Sequence, residues 1–136
     1  MKFNKLIPEL SVSDLQKSLK FYTEILGFAI EYQREESKFA FLSFEGSQIM
    51  LEDMNRRWDT GKLEHPFGRG VNFQIECKSI EPLLNSLKKH NHPLFEEPKD
   101  KWYRQDKKLL GCREFLVQDP DGYLLRFSQD IGSKTL

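Results

Sequence analysis

The stretch QDPDGYLLRF, residues 118–127, decides the fold. Asp119-Pro120-Asp121-Gly122 is a dense turn signal: proline fixes φ, glycine supplies positive φ, and aspartate can bond its own backbone. Tyr123 to Phe127 then reads as a strand. Strand alternation puts Leu125 and Phe127 on one face and Leu124, Arg126 and Ser128 on the other. A guanidinium on that second face has to meet something polar. What it meets separates an enzyme from a binding protein.

Upstream, the same alternation recurs. In KLIPELSV, residues 5–12, Leu6, Leu10 and Val12 share a face opposite Ile7, Glu9 and Ser11, and Pro8 marks an edge or an interruption. Ser13 is expected to open a helix, with Gln16 as its capping-box partner. Leu15, Leu19, Tyr22, Ile25 and Leu26 form its apolar stripe, and Gly27 closes it. Strands are expected at 28–34, 38–44 and 47–53, separated by EESK and the Glu45-Gly46 turn. Residues 54–69 break the pattern and read as a linker loop. At Gly70 the order restarts. Val71, Phe73, Ile75 and Cys77 alternate with Asn72, Gln74 and Glu76. Ser79 is expected to cap a second helix with Pro82 in its first turn and a stripe of Ile80, Leu83, Leu84 and Leu87. Three strand-like runs follow, and the tail GSKTL is expected to fray.

The order strand, helix, three strands therefore occurs twice. An offset of 65 aligns Leu15 with Ile80 and Val12 with Cys77, and a larger one aligns Gly46 with Gly122. The expected fold class is α+β: two βαβββ modules, residues 5–53 and 70–130, within a single domain spanning 1–136. A module can pack one sheet face on its helix, and the other face must meet a partner half. The two mixed sheets are therefore expected to curl around a cleft.

Composition narrows the function. With 136 residues the chain suits one compact domain. Lys+Arg and Asp+Glu both total 21, so no global field draws nucleic acid or an anionic membrane. No apolar run is long enough to span a bilayer, and the N-terminus lacks the apolar core of a signal peptide. Cys77 and Cys112 have no CxxC spacing and read as buried reduced thiols, which points to the cytoplasm.

Three stretches carry a family resemblance: SVSDLQKSLKFYTEILGF, GRGVNFQIE and REFLVQDPDGYLLRF. The chain resembles the vicinal oxygen chelate superfamily, which includes glyoxalase I, ring-cleaving dioxygenases, and fosfomycin- and bleomycin-resistance proteins. GCREFLVQDPDG looks most like the bleomycin-resistance branch. The resemblance implies the glyoxalase/bleomycin-resistance fold and a homodimer with ligand crevices at the subunit interface.

Metal enzymes of that superfamily place His, Gln or Glu on the cleft face of the first and last strand of each half. Carried over, these positions fall on Ile7, Asn72, Arg126 and Met50, or on Leu51 if the register slips. Aliphatic and thioether side chains offer no hard donor, and a guanidinium presents only donors and repels a divalent cation. The expectation is no metal, no other cofactor and no catalytic residues. Glu52 is the one nearby carboxylate that a register error would restore. His65, His90 and His92 are scattered and read as surface residues. No nucleophile elbow or phosphate loop occurs.

The expected ligand-binding residues are Glu9, Met50, Glu52, Trp58, Asn72, Gln74, Trp102, Tyr103 and Arg126. Aromatic walls with a few polar groups suit a flat organic ligand. Alternation implies that only one of Trp102 and Tyr103 points inward. A salt bridge from Arg126 to Glu9 or Glu52 rivals ligand binding as its role. The leading expectation is a metal-independent binder of a small organic, bleomycin-like ligand, a binding protein rather than an enzyme. The alternative is a metal-dependent lyase or dioxygenase with an atypical ligand set using Glu52 and a histidine.

Overall fold

A computed structural model describes residues Met1 to Leu136. The chain divides into two compact units. The first comprises Met1–Arg69 with Asp119–Tyr123, and the second Gly70–Gln118 with Leu124–Leu136.

In the first unit, β1 (Glu9–Val12) leads into α1 (Leu15–Lys20), then β2 (Ala29–Arg34), β3 (Phe39–Phe44) and β4 (Ser47–Asp53). The sheet order is β1-β4-β3-β2, with β1 parallel to β4 and the other pairs antiparallel. One face brings Leu10, Val12, Ala40, Leu42, Ile49 and Leu51 into a core shared with Leu15, Leu19, Tyr22 and Leu26. Burying such side chains contributes about 1.5–3 kcal/mol each. β3 and β4 meet through Glu45-Gly46, both at positive φ, the backbone that a tight hairpin needs.

Three local expectations need correction. β1 starts at Glu9, so Ile7 lies outside the strand, because Pro8 has no N–H to give a ladder. Asp14, not Ser13, caps α1: its carboxylate accepts from the N–H groups of Gln16 and Lys17. The helix widens into a π-helical turn over Phe21–Ile25, which buries Phe21 and Tyr22 and leaves Ile25 only half-buried.

The turn of the opening stretch belongs to this unit. The Ser13 N–H and hydroxyl both donate to the Asp121 carboxylate. The Tyr22 hydroxyl donates to Asp119 Oδ2 at 2.7 Å, and the Tyr123 hydroxyl donates to the Ser11 carbonyl at 2.8 Å. Asp119 Oδ1 accepts the Asp121 and Tyr123 N–H groups, each at 2.9 Å. Burial pushes the Asp119 carboxyl up to about 6, although the Tyr22 hydroxyl and these N–H groups oppose the shift. Ser13 is thus engaged with this turn while Asp14 takes the cap.

In the second unit, β5 (Asn72–Glu76) leads into α2 (Glu81–Lys89), then β6 (Glu96–Gln105), β7 (Lys108–Gln118) and β8 (Leu124–Thr135). The order β5-β8-β7-β6 repeats that of the first sheet, again with one parallel pair, β5 with β8. Ile75, Cys77, Phe115, Val117, Leu125 and Phe127 are buried, as are Ile80, Leu83 and Leu87 of the second helical stripe. Ile80 replaces Ser79 at the helix start, and its N–H is taken by Gln129 Oε1 at 3.0 Å. The tail is not frayed through Thr135: Ser133, Lys134 and Thr135 pair with Leu110, Leu109 and Lys108. The cross-strand ladder there outweighs the weak local sequence signal. Both architectures are α+β. No helix is long and apolar enough to cross a membrane.

Candidate functional site

Each sheet has one face on its helix and a second face of different chemistry. On the first sheet, cross-strand register aligns Glu9, Met50, Phe41 and Tyr32 in one row and Glu52, Phe39 and Arg34 in the next. Met50 therefore takes the open-face position and Leu51 points into the core. The rings close over one another. Tyr32 stacks on Phe41 at 5.2 Å, Phe3 meets Phe41 edge-on at 5.3 Å, and the Arg34 guanidinium sits 3.9 Å from the Phe39 ring centre. Phe39 and Phe41 are left 1% exposed. Glu52 is buried and accepts from the Asn55 amide at 2.7 Å. Glu9 is half-buried, and burial followed by the nearby Glu52 charge raises its pKa. Trp58 is exposed in the loop over residues 54–71, with Arg57 over its ring at 4.7 Å.

The second sheet keeps an open cavity of ≈ 570 Å³ on its free face. This is within the size range of small-molecule sites. Gln74, Tyr103, Leu110, Cys112, Arg126 and Ser128 line it, with Glu76, Asp130 and Ser133 also contributing. β5, β6, β7 and β8 supply these side chains at alternating positions, so the cavity follows directly from strand register. Asn72 sits one row from Gln74 and accepts from Arg126 Nε at 3.1 Å.

Arg126 has an acidic neighbour within its own sheet. Its guanidinium bonds Asn72 and stands 3.8 Å from Glu114 Oε2. Glu114 is 1% exposed and forms the centre of a polar cluster. It accepts from the Tyr103 hydroxyl at 2.6 Å, from Lys101 Nζ at 3.1 Å and from the Cys112 thiol at 3.4 Å. Lys101 also bridges to Glu96 at 2.8 Å. Burial alone would raise the Glu114 pKa, but the bonds from Tyr103, Lys101 and Cys112 hold it below the usual carboxylate value. The bond to Glu114 pushes the Tyr103 hydroxyl up, and burial pushes the Cys112 thiol up. Cys112 is thus a half-buried thiol on the cavity wall, not a core cysteine; Cys77 is buried, and both are free.

Trp102 and Tyr103 divide between the faces. Tyr103 enters the cavity wall. Trp102 lies on the other side against Gly111, with Lys134 Nζ 4.0 Å from its ring centre. The histidines are occupied locally or exposed: His90 bonds the Ser86 carbonyl, His92 bonds the Gln118 carbonyl, and His65 is exposed. His92 is half-buried through that bond and is not simply solvated.

The positions carried over for a divalent metal do not fit one. Met50 and Ile7 offer no hard donor, and the Asn72 carbonyl oxygen, the one oxygen donor of the set, already accepts from the Arg126 guanidinium. No three His, Cys, Asp or Glu side chains converge as a metal-binding group.

Glu114, Lys101, Cys112, Glu76 and Asp130 were missed as site residues. Counting outward from the Asp119–Gly122 turn finds the first of them: Leu116 pairs with Arg126 and Glu114 with Ser128, so Glu114 shares the Arg126 face.

Comparison with known proteins places this geometry. Residues 4–127 match the model of the Glyoxalase/Bleomycin resistance protein/Dioxygenase superfamily. A bleomycin resistance protein of Geobacillus stearothermophilus is 31% identical over 138 aligned positions, covering 93% of this chain and 97% of that protein. Glyoxalase domain-containing protein 4 of Mus musculus is also 31% identical, over 93% of this chain but 41% of that protein. The crystal structure of TioX from Micromonospora sp. ML1 shares the fold, with a TM-score of 0.73 at 14% identity, covering 95% of this chain and 100% of that one. The match to nearly the whole chain, together with the repeated sheet order, means that this protein belongs to the Glyoxalase/Bleomycin resistance protein/Dioxygenase superfamily.

Proposed function

We propose that this chain is a metal-independent small-molecule binding protein that sequesters a drug-like organic ligand, as the name of its bleomycin-resistance relatives suggests for them. The observation that carries this reading is the second-sheet cavity, whose functional groups are already engaged. Glu114 is saturated with donors, and Tyr103 and Cys112 are held in their protonated forms by shifts away from neutrality. Such a wall offers shape, aromatic area and hydrogen bonds, and no activated nucleophile. Binding without chemistry needs affinity alone.

Gln74, Tyr103 and Arg126 are the proposed ligand contacts within the cavity, with Asn72 at its edge beside Arg126. Glu9, Met50, Glu52 and Trp58 are proposed to meet ligand from the first unit. Residues 5–53 and 70–130 are read as two modules of a single glyoxalase-like domain joined by 54–69. A homodimer with clefts at its interface is proposed as the working form; exposed Tyr103 and Leu110 give a second copy apolar surface to cover. Two free thiols suit a reducing compartment, and the cytoplasm is proposed on that ground.

The test is a titration with bleomycin in excess chelator, followed by tryptophan fluorescence. Saturation near one ligand per subunit in the micromolar range or tighter is expected. Absence of saturable binding by bleomycin, or stoichiometric metal that ligand binding requires, would overturn the reading. Light scattering during size exclusion checks the dimer.

A further inference from the structure

We infer that Glu114, buried beneath the second-sheet cavity, is a positioning residue that determines which ligand charge the cavity accepts, because it engages the cationic and hydroxyl donors converging on that wall. The inference rests on the binding reading above and specifies the ligand chemistry that this one carboxylate imposes.

Four donors converge on Glu114. Tyr103 and Lys101 bond it at 2.6 and 3.1 Å, the Cys112 thiol lies at 3.4 Å, and Arg126 Nη1 lies at 3.8 Å. The two cations of the cluster, Lys101 and Arg126, face two carboxylates, Glu96 and Glu114, so the charges cancel. Lys99 adds only a long contact of 3.9 Å to Glu96. What remains at the cavity wall is acceptor-rich. Glu76 and Asp130 are exposed carboxylates lining it, and Asp130 accepts only a backbone N–H, that of Gly132. A ligand entering this space meets acceptors and finds the guanidinium already matched. The complementary group is an amine, amidine or guanidinium.

Removing the charge of Glu114 weakens that balance. Lys101 keeps Glu96 as its partner, whereas Arg126 loses its only carboxylate and becomes an uncompensated cation on the cavity wall. Glu76 and Asp130 still line the space, so the preference moves toward an anion without inverting. A purely structural role for Glu114, tying β6 to β7 and β8, predicts a loss of stability with no change in charge preference. The two roles are therefore separable.

The experiment uses the full chain and two dyes, cationic thioflavin T and anionic 8-anilinonaphthalene-1-sulfonate, titrated by fluorescence. Wild type is expected to prefer the cation. Glu114→Gln, which keeps shape and hydrogen bonding to Tyr103, is expected to move the preference toward the anion by about tenfold, the scale of one charge at this range in a partly solvated site. A double Glu76→Gln, Asp130→Asn variant alters exposed side chains only and is expected to weaken thioflavin T with unchanged melting temperature. That variant decides the matter if Glu114→Gln does not fold. Unchanged thioflavin T affinity in the double variant, or a Glu114→Gln protein whose two affinities move together, would overturn the inference. If bleomycin still binds in chelator, the sequestering reading survives that failure. If wild type binds neither dye nor bleomycin, both fall.

Discussion

The two sheets share one strand order and treat their free faces in opposite ways. On the first sheet, Phe39, Phe41, Tyr32 and Arg34 fill the space over Glu9, Met50 and Glu52 with the protein's own rings. On the second, Leu116 and Glu114 lie beside Arg126 and Ser128 in the corresponding rows, and Cys112, Leu110 and Tyr103 extend that face around a cavity. The strand order is the same, but β6, β7 and β8 run to 10, 11 and 12 residues where β2, β3 and β4 have 6, 6 and 7, so the second face extends beyond the rows of the first. Side-chain volume differs as well: β3 reads FAFLSF, with aromatics on its free face, whereas the free face of β7 carries Leu110, Cys112 and Glu114. The first face is closed over by its own rings, and the second keeps open space.

That division is open to direct attack. The largest expected effect is on Phe41. Phe41→Ala should cost about 3–5 kcal/mol in urea unfolding, as a buried aromatic does, whereas Leu110→Ala on the cavity wall, at 37% exposure, should cost less than about 1 kcal/mol. Similar losses at both positions would show that the two faces are not divided in this way.

The turns sharpen the comparison next. Gly46 and Gly122 occupy equivalent turns at φ +91 and +95. A Cβ at Gly46 meets nothing within 4 Å, but one at Gly122 would stand 2.5 Å from Pro66 Cβ and 2.6 Å from its Cα. Gly122→Ala should therefore cost roughly 3 kcal/mol, adding overpacking to backbone strain, and Gly46→Ala roughly 1 kcal/mol from strain alone. Equal costs would mean that Pro66 gives way.

A smaller effect is the pH response of the first unit. The Asp119 carboxyl titrates at about 6 in the fold against 3.8 otherwise, so the folded state binds more protons between those values. Stability is fully present below 3.8 and is lost as pH rises through 6. The protein should be more stable at about pH 5 than at about pH 7.5 by roughly 1–2 kcal/mol. Asp119→Asn should flatten that slope. A slope of opposite sign in urea melts at the two pH values would contradict the assignment.

The sequence by itself determined the repeated βαβββ order, the α+β class, the Asp119–Gly122 turn and the outward direction of Arg126. These follow from alternation, helical spacing and turn chemistry, all of which are local. The cap of α1 and the paired tail escape a local reading because each depends on a distant partner: Asp121 holds Ser13, and Lys108 pairs with Thr135. Only the tertiary structure decided what Arg126 meets. Its partner Glu114 stands on the neighbouring strand β7, opposite Ser128, and a one-residue slip of that pairing would turn the carboxylate to the opposite face. Whether a free face becomes core or cavity is likewise a matter of volumes summed across four strands, which no single stretch of sequence carries.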